Sequence, residues 1–347
     1  MKLIQPTYEI IEQQPGLQNM YKHIERCGRT CYKSEDKITD TSAEEFVNRM
    51  IQSNHGTVLE HGTVYLTIPL GTPVNDPQYI WKFDIVKFFQ NNPYSKVKSK
   101  VINQDIDIEI KGYGMKTQTS VHFYYITTNW RVIIENRDFK CLQYIGEMKS
   151  ITKTLEDSVL EWISEPTEEH ERRYTVLFTC DIGVTREFNR HRKDSANEES
   201  TRYCNYGKSK FEQQLSIMTP QWLDNISIPK DTDIQDDDFR GYCRLIAENY
   251  DVQHMTDIDY WLCCNYMCEY VYMKLTNDFK WKAQQARTIL PLDTKSTLVH
   301  TAFASDWVHF FELRALGKTG APHPSAKELA EPLMQEFISR KYIDEIK

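Results

Sequence analysis

The stretch RHRKDSANEESTRY, Arg190 to Tyr203, decides how this chain reads. Directly upstream, TCDIGVTREF has the form of a strand end, a turn and a helix start, with Asp181 placed to cap the first free N–H groups. A helix over 182–193 puts Arg186, Arg190 and Lys193 at i, i+4 and i+7 on one face. Like charges stacked this way cost about 0.2–0.5 kcal/mol per pair, so such a helix is not arranged for its own stability. An anion held by that face offsets the cost, and the planar fork of arginine suits phosphate. After Lys193, the residues Asp194, Ser195, Asn197, Ser200 and Thr201 compete for backbone hydrogen bonds and predict a loop. Closed by Arg202 and Tyr203, a loop of hydroxyls and amides suits a polar small molecule. The plainer alternative is a solvated charged turn.

The segment resembles R-H-R-x-x-S-x-N-E-x-S-x-R-Y, the signature of the flavin-dependent thymidylate synthases, at all nine fixed positions. Chance agreement is on the order of one in 10¹² per start site, which sets the surface-turn reading aside. Other stretches are similar to the same family. SNHGTVLEHGTVYL keeps His55, Thr57, Glu60 and His61 of a histidine-to-Pro-aromatic-Glu-His element, with Val58 for the proline and Leu59 for the aromatic residue. ARTILPL places Arg287 as a nucleotide-binding arginine, and FFELRAL places Arg314 as the arginine that faces the uracil ring. RTCYKS resembles an arginine-x-serine-aromatic element with Cys31 in the serine position. The resemblance covers residues 1–68 and about 172–335. The family's asparagine-x-arginine flavin contact is replaced by Phe303, Ala304 and Ser305, so Ser305 and His309 are the candidates in its place.

The resemblance implies an α+β fold, a mostly antiparallel sheet flanked by helices, in one domain over 1–347 with an insertion of about a hundred residues at 69–173. It implies reductive methylation of dUMP to dTMP, with methylene-tetrahydrofolate as carbon donor and NADPH as reductant through bound FAD. Arg202 and Arg287 would hold the phosphate near Ser200 and Thr201. Arg190 would stand where nucleotide and flavin meet, and Glu187 and Glu198 would contact the nucleotide. Arg314 would stabilise charge on the uracil, and Ser200 would orient the ring rather than attack it. His55, Thr57, Glu60, Arg190, His191, Arg192, Lys193 and Glu198 are the matched FAD positions. A satisfied helix-to-strand connection is the plain reading of His55 and Glu60. His61, Asn197 and Tyr203 read as structural, and His254, His300 and His323 carry no signal. The implied active unit is a homotetramer whose sites combine residues from several subunits.

Composition agrees with an ordinary globular chain: 347 residues, 40% hydrophobic and 27% charged. A net charge of −8 argues against general nucleic-acid binding and makes the arginine cluster local, for one compact anion. No apolar run approaches a membrane span, and the start lacks a signal peptide's apolar core. Nine irregularly spaced cysteines predict reduced thiols in a cytoplasm. None follows a proline, unlike the nucleophile of the cysteine-dependent thymidylate synthases, so Cys204 reads as structural. Cys263, Cys264 and Cys268 lack zinc spacing, and no metal is expected. WLCCNYMCEYVYMKL reads instead as an apolar helix with cysteine and methionine in its core.

The remaining pattern predicts helices over 16–26 and 42–53, the second with a Ser42/Glu45 capping box. A strand follows in which Val64, Leu66 and Ile68 alternate with Tyr65 and Thr67. The insertion opens with surface-type strands and a helix beginning near Thr128 or Asn129, and it separates two strands able to pair, HGTVYLTIPL and YTVLFTC. NDFKWKAQQARTILPL predicts a helix up to Pro291. Trp307, Phe310, Phe311 and Leu313 predict an amphipathic helix from about Ser305 with Arg314 near its end, and SAKELAEPLMQEFISRKY predicts a last one. Two further functions remain open on sequence: a nucleotide- or RNA-binding protein that has lost catalysis, and a flavin enzyme with another substrate.

Overall fold

The computed structural model describes residues 1–71, 79–110, 113–136, 166–223 and 256–346. His254 and much of the 69–173 segment lie outside them. The fold is α+β, with mostly antiparallel sheets and helices packed around them. Its centre is a four-stranded sheet formed by β2 (Thr7–Ile11), β6 (Arg173–Asp181), β7 (Ser195–Glu198) and β9 (Lys295–Phe303) in the order β2-β6-β9-β7. Every neighbouring pair is antiparallel. Strand β6 alternates, with Val176, Phe178 and Cys180 buried, whereas β9 is buried almost throughout. That difference suits an inner strand covered on both faces.

Helices α9 (Ala304–Arg314) and α10 (Pro324–Ser339) pack on this sheet. Trp307, Phe310 and Phe311 are fully buried there, as their helical spacing predicts. A second core joins α1 (Leu17–Thr30), α2 (Ser42–Gln52), α3 (Gly56–Leu59) and a three-stranded sheet. This sheet orders β3 (Thr63–Leu70), β5 (Tyr113–Asn129) and β4 (Lys96–Ile110) as β3-β5-β4. The alternation of Val64, Leu66 and Ile68 holds, all three being buried. A helix, α5 (Trp130–Glu135), follows β5, with the Asn129 side chain accepting from the Val132 N–H. A third core gathers β1 (Lys2–Ile4), β8 (Ser216–Met218) and the long helix Asp257–Met273. In that helix Cys263 is buried but Cys264 is exposed, so only part of the cysteine cluster serves the core. Seven cysteines are described and all are free thiols.

Several expectations change. The two strands flanking the 69–173 segment do not pair: β3 runs against β5, and β6 runs between β2 and β9. The long β4–β5 hairpin supplies β3 with its partner. The predicted capping box at Ser42 is absent, because the Ser42 hydroxyl accepts from the Thr39 N–H and donates to Glu25. The helix expected up to Pro291 is a single turn, Ala283–Ala286, followed by a 3₁₀ turn. Lys280, at φ 59°, breaks the chain direction before it. No helix among the described residues is long and apolar enough to cross a membrane.

Candidate functional site

The signature leaves β6 through helix α6 (Ile182–Phe188), which Asp181 caps by accepting from the Val184 N–H at 2.7 Å. The helix stops at Phe188, five residues short of the expected end, and Ser195–Glu198 forms strand β7 instead of a loop. Pairing with the buried Leu298–Thr301 segment of β9 overrides the weak strand propensity of these polar residues. Arg186, Arg190 and Lys193 therefore do not share a helical face.

After β7 the chain turns tightly. The Tyr203 and Cys204 N–H groups both donate to the Ser200 carbonyl, and the Ser200 N–H donates to the Cys31 carbonyl at 2.9 Å. The RTCYKS element is thereby fixed to the signature, with the Tyr32 and Tyr203 rings 5.5 Å apart. Tyr203 is exposed, so its contact is with Tyr32 and not with the core. Beneath the turn, buried Glu199 accepts from Lys295 at 2.7 Å and from the Tyr206 hydroxyl at 3.2 Å, and Lys33 stands 3.4 Å away. Burial alone would raise the Glu199 pKa, but Lys295 and Lys33 hold it below the ordinary carboxylate value.

This turn forms one wall of a cavity of about 630 Å³. Ser200, Thr201, Arg202 and Arg287 line it together, as the sequence predicts, and Arg186 joins them. Arg287 donates to the Thr201 hydroxyl at 3.4 Å. Leu290, Pro291 and Leu292 give the cavity an apolar side. Glu198 lines it as well, yet its carboxylate is already engaged by Thr185 at 2.7 Å, Ser296 at 3.0 Å and Asn189 at 3.1 Å. Among the described residues no histidine or carboxylate bonds the Ser200 hydroxyl. Three arginines over satisfied acids make a cationic pocket suited to a phosphate ester.

The other predicted residues form separate groups. Arg314 donates to the Glu187 carboxylate and to the Glu187 carbonyl, each at 2.7 Å, and its Nε lies 3.4 Å from His191 Nε2. Arg190 is exposed and 3.5 Å from the same Glu187 carboxylate. The His309 ring stands 6.0 Å from that of His191. Burial pushes His191 down to about 4, with His300 adding to the effect, so the ring is neutral near pH 7. Arg192 and Lys193 are exposed beside it. Ser305 is engaged elsewhere, accepting from Lys96 of β4 through its hydroxyl and donating its N–H to Glu171. His55 and Thr57 are exposed, while the Glu60 carboxylate is paired with Arg131 at 2.6 Å.

Sequence reasoning missed the Glu199–Lys33–Lys295 group and a buried pair, His300 Nε2 to Asp194 at 2.8 Å. Neither carries a local signal, since each joins residues far apart in the chain. His61 is buried, as a structural role requires, and bonds Thr301 at 2.7 Å.

Residues 131–340 match the family described as "Thymidylate synthase complementing protein", more than half of the chain. The chain belongs to this family. It is the family of flavin-dependent thymidylate synthases that the signature resembles. No curated protein sequence matches. Among solved structures, the UMP/dUMP methylase PolB from Streptomyces cacaoi, bound with 5-Br dUMP, is 15% identical, with 98% of this chain and 93% of that one covered at a TM-score of 0.36. Thymidylate Synthase X from Helicobacter pylori, with FAD and dUMP, is 15% identical, with 59% of this chain and 83% of that one covered at a TM-score of 0.30. At these scores the likenesses place no residue.

Proposed function

We propose that this member of the family is a flavin-dependent thymidylate synthase, converting dUMP to dTMP with methylene-tetrahydrofolate and NADPH. The carrying observation is the cavity in which Arg202, Arg287, Arg186, Ser200 and Thr201 converge, with Glu199 paired to Lys295 and the Glu198 carboxylate already hydrogen-bonded. A dianionic phosphate sits among the arginines, and the sugar and pyrimidine lie along Leu290, Pro291 and Leu292. Ser200 orients the ring: a hydroxyl without an adjacent base is a poor nucleophile.

The donor set around His191 fits FAD. A neutral imidazole can meet a flavin ring, and exposed Arg190, Arg192 and Lys193 suit its pyrophosphate. His55 and Thr57 offer further exposed donors. When bound, the flavin supplies the hydride chemistry. The chain's residues bind and orient. Arg314, fixed by two bonds to Glu187, presents a preorganised cation to charge developing on the uracil. Within one chain Arg314 and His191 do not line the arginine cavity. We infer that a complete site forms in a homotetramer, where these groups and the cavity come from different subunits. The 69–173 segment is an insertion within one domain on this reading.

The test is optical and direct. Purified protein should show a flavin spectrum that NADPH bleaches, and should form dTMP from dUMP and methylene-tetrahydrofolate. Colourless protein that takes up no FAD on titration sinks the proposal.

A further inference from the structure

The segment His191–Lys193 bridges the end of α6 at Phe188 and the start of β7 at Ser195. Its backbone is held by the His191 N–H donating to the Phe188 carbonyl at 3.3 Å and the Asp194 N–H donating to the His191 carbonyl at 3.2 Å. Arg192 and Lys193 are exposed, but the next side chain turns inward. The Asp194 side chain is 3% exposed, and its carboxylate bonds His300 Nε2 at 2.8 Å. We propose that His300 and Asp194 are positioning residues for this segment, their buried bond fixing the turn that holds the His191 ring in place. The proposal rests on the reading of His191, Arg192 and Lys193 as flavin contacts.

The ladder between β7 and β9 starts with Ser195 opposite Thr301 and Ala196 opposite His300. The Asp194–His300 bond lies beyond that first rung, so it carries the attachment of the signature one residue further toward His191. A carboxylate leaves water only at a cost unless a partner meets it, and His300 is the partner here. Burial works against the cation of Arg173, and Asp194 is among the groups that favour it, so Asp194 has a second duty. His300 is the cleaner probe. It is fully buried, its ring 4.9 Å from that of Trp307 and 5.7 Å from that of Phe310. Its Nδ1 is buried without a partner. An apolar ring would fill the same place without that orphaned nitrogen. What histidine adds is its bond to Asp194.

The His191 ring leans on the same wall, 5.0 Å from Phe310 and 6.3 Å from His300. Its Nε2 accepts from Arg314 Nε at 3.4 Å. The charged and titratable groups facing it are His300 of β9, His309 and Arg314 of α9, Asp194 of its own segment, and Glu187 of α6 through Arg314. Burial first, and His300 next, keep the His191 ring neutral near pH 7, while Asp194 opposes them. A ring that swings out into water loses that burial and titrates in the ordinary histidine range. The titration of His191 therefore reports whether the turn holds its ring.

His300→Phe removes the bond and keeps an aromatic ring in the wall, and His300→Gln restores a donor without the imidazole. Both are compared with wild type for FAD affinity, dUMP affinity and the His191 ring signals in NMR of flavin-free protein. The wild-type signals should stay constant between about pH 8 and pH 5.5, and those of His300→Phe should shift over the same range. His300→Phe should also bind FAD about tenfold more weakly, the scale of one hydrogen bond, with dUMP affinity unchanged. His300→Gln should recover both properties, which a role confined to packing or to the His300 charge does not predict. Asp194→Ala should act as His300→Phe does, and the double variant should lose no more FAD affinity than the weaker-binding single one. Should His300→Phe not fold, Asp194→Ala against Asp194→Asn, which keeps an acceptor, carries the comparison. If wild-type protein takes up no FAD, the proposed reaction fails and the His191 titration alone decides whether the pair positions the ring. Unmoved His191 signals in His300→Phe, unchanged FAD affinity in a flavin-binding protein, equal weakening of FAD and dUMP, or a glutamine variant no better than the phenylalanine one overturns the positioning role.

Discussion

Replacing Arg287 with alanine tests the proposed phosphate role of the arginine cavity. Arg287 is exposed, and its one described bond is a long one, 3.4 Å to the Thr201 hydroxyl. Loss of that contact should leave folding nearly unchanged, within about 0.5 kcal/mol for a surface substitution. Binding is different. A guanidinium paired with a phosphate makes a charge-assisted hydrogen bond worth about 1.5–3 kcal/mol, so dUMP should bind roughly 10–150-fold more weakly. Arg202→Ala should act on the same scale, since both arginines line one cavity. The assay is calorimetric titration of dUMP into flavin-loaded protein, with FAD content read from the visible spectrum. FAD should remain near the wild-type level, because Arg287 stands apart from His191 and its neighbouring cations. Unchanged dUMP affinity would refute the phosphate cradle. Equal loss of dUMP and FAD would show that the two ligand sites have been confused.

Arg314→Ala should lower turnover roughly 10²–10³-fold, the scale for one preorganised donor, while NADPH oxidation without nucleotide persists. Arg314→Lys should recover only part of the rate, because lysine cannot bond the Glu187 carboxylate and carbonyl with one planar fork; normal turnover in either variant refutes the role. Cys204→Ala should keep dTMP formation within a few fold, since burial, reinforced by Glu199, pushes its thiol up to about 12 and leaves no thiolate; a folded, flavin-loaded but dead variant would restore a cysteine mechanism. His23 is pushed down to about 3, by burial first and then by Arg173 and Arg26. Between about pH 6.5 and pH 3 the unfolded chain therefore binds the extra proton, and stability is lost as the pH is lowered, by up to about 1.4 kcal/mol per unit for this one group. Urea unfolding of His23→Gln should show a shallower loss from pH 6.5 to 4.5, and an unchanged slope would locate the acid sensitivity elsewhere.

What was legible in the sequence was local. Period-two alternation marked Val64, Leu66 and Ile68, Asp181 announced its cap, and the spacing of Trp307, Phe310 and Phe311 outlined α9. What was hidden was decided by partners distant in the chain. Ser195–Glu198 has the composition of a loop and becomes a strand because β9 offers an open edge. Ser42 has the spacing of a capping box, but Glu25 and Thr39 claim its hydroxyl. The strands around the insertion looked complementary, yet β5 offers β3 a ladder from Thr63 to Leu70. At the site, the motif placed Ser200, Thr201, Arg202 and Arg287 in one cavity. It could not show that Ser305 turns toward Lys96, or that Glu60 is spent on Arg131.

A cavity proposed to hold phosphate with Glu198 and Glu199 in its wall looks self-defeating, and the way the fold treats these two acids explains why it is not. Glu198 accepts from three side chains, Thr185, Ser296 and Asn189, which anchor the signature strand to α6 and β9. Glu199 is buried between Lys295 and Lys33, and Lys33 comes from the same turn whose Cys31 carbonyl accepts from Ser200. The acids thus act as fasteners for the turn that carries Ser200, Thr201 and Arg202. The Glu199 charge is offset from behind by the half-buried Lys33 and Lys295, and the Glu198 oxygens are engaged by neutral donors, not by the arginines in front. Among the described residues Arg186, Arg202 and Arg287 are exposed and paired with no carboxylate, so the proposed phosphate need not displace an ion pair seen there. Arg314 shows the opposite economy: bonded to Glu187 on two sides, it is held rigid and is suited to meeting charge that appears only in the transition state. On the proposed function, the division between free and tethered arginines becomes a division between binding and catalysis, drawn by the carboxylates around them.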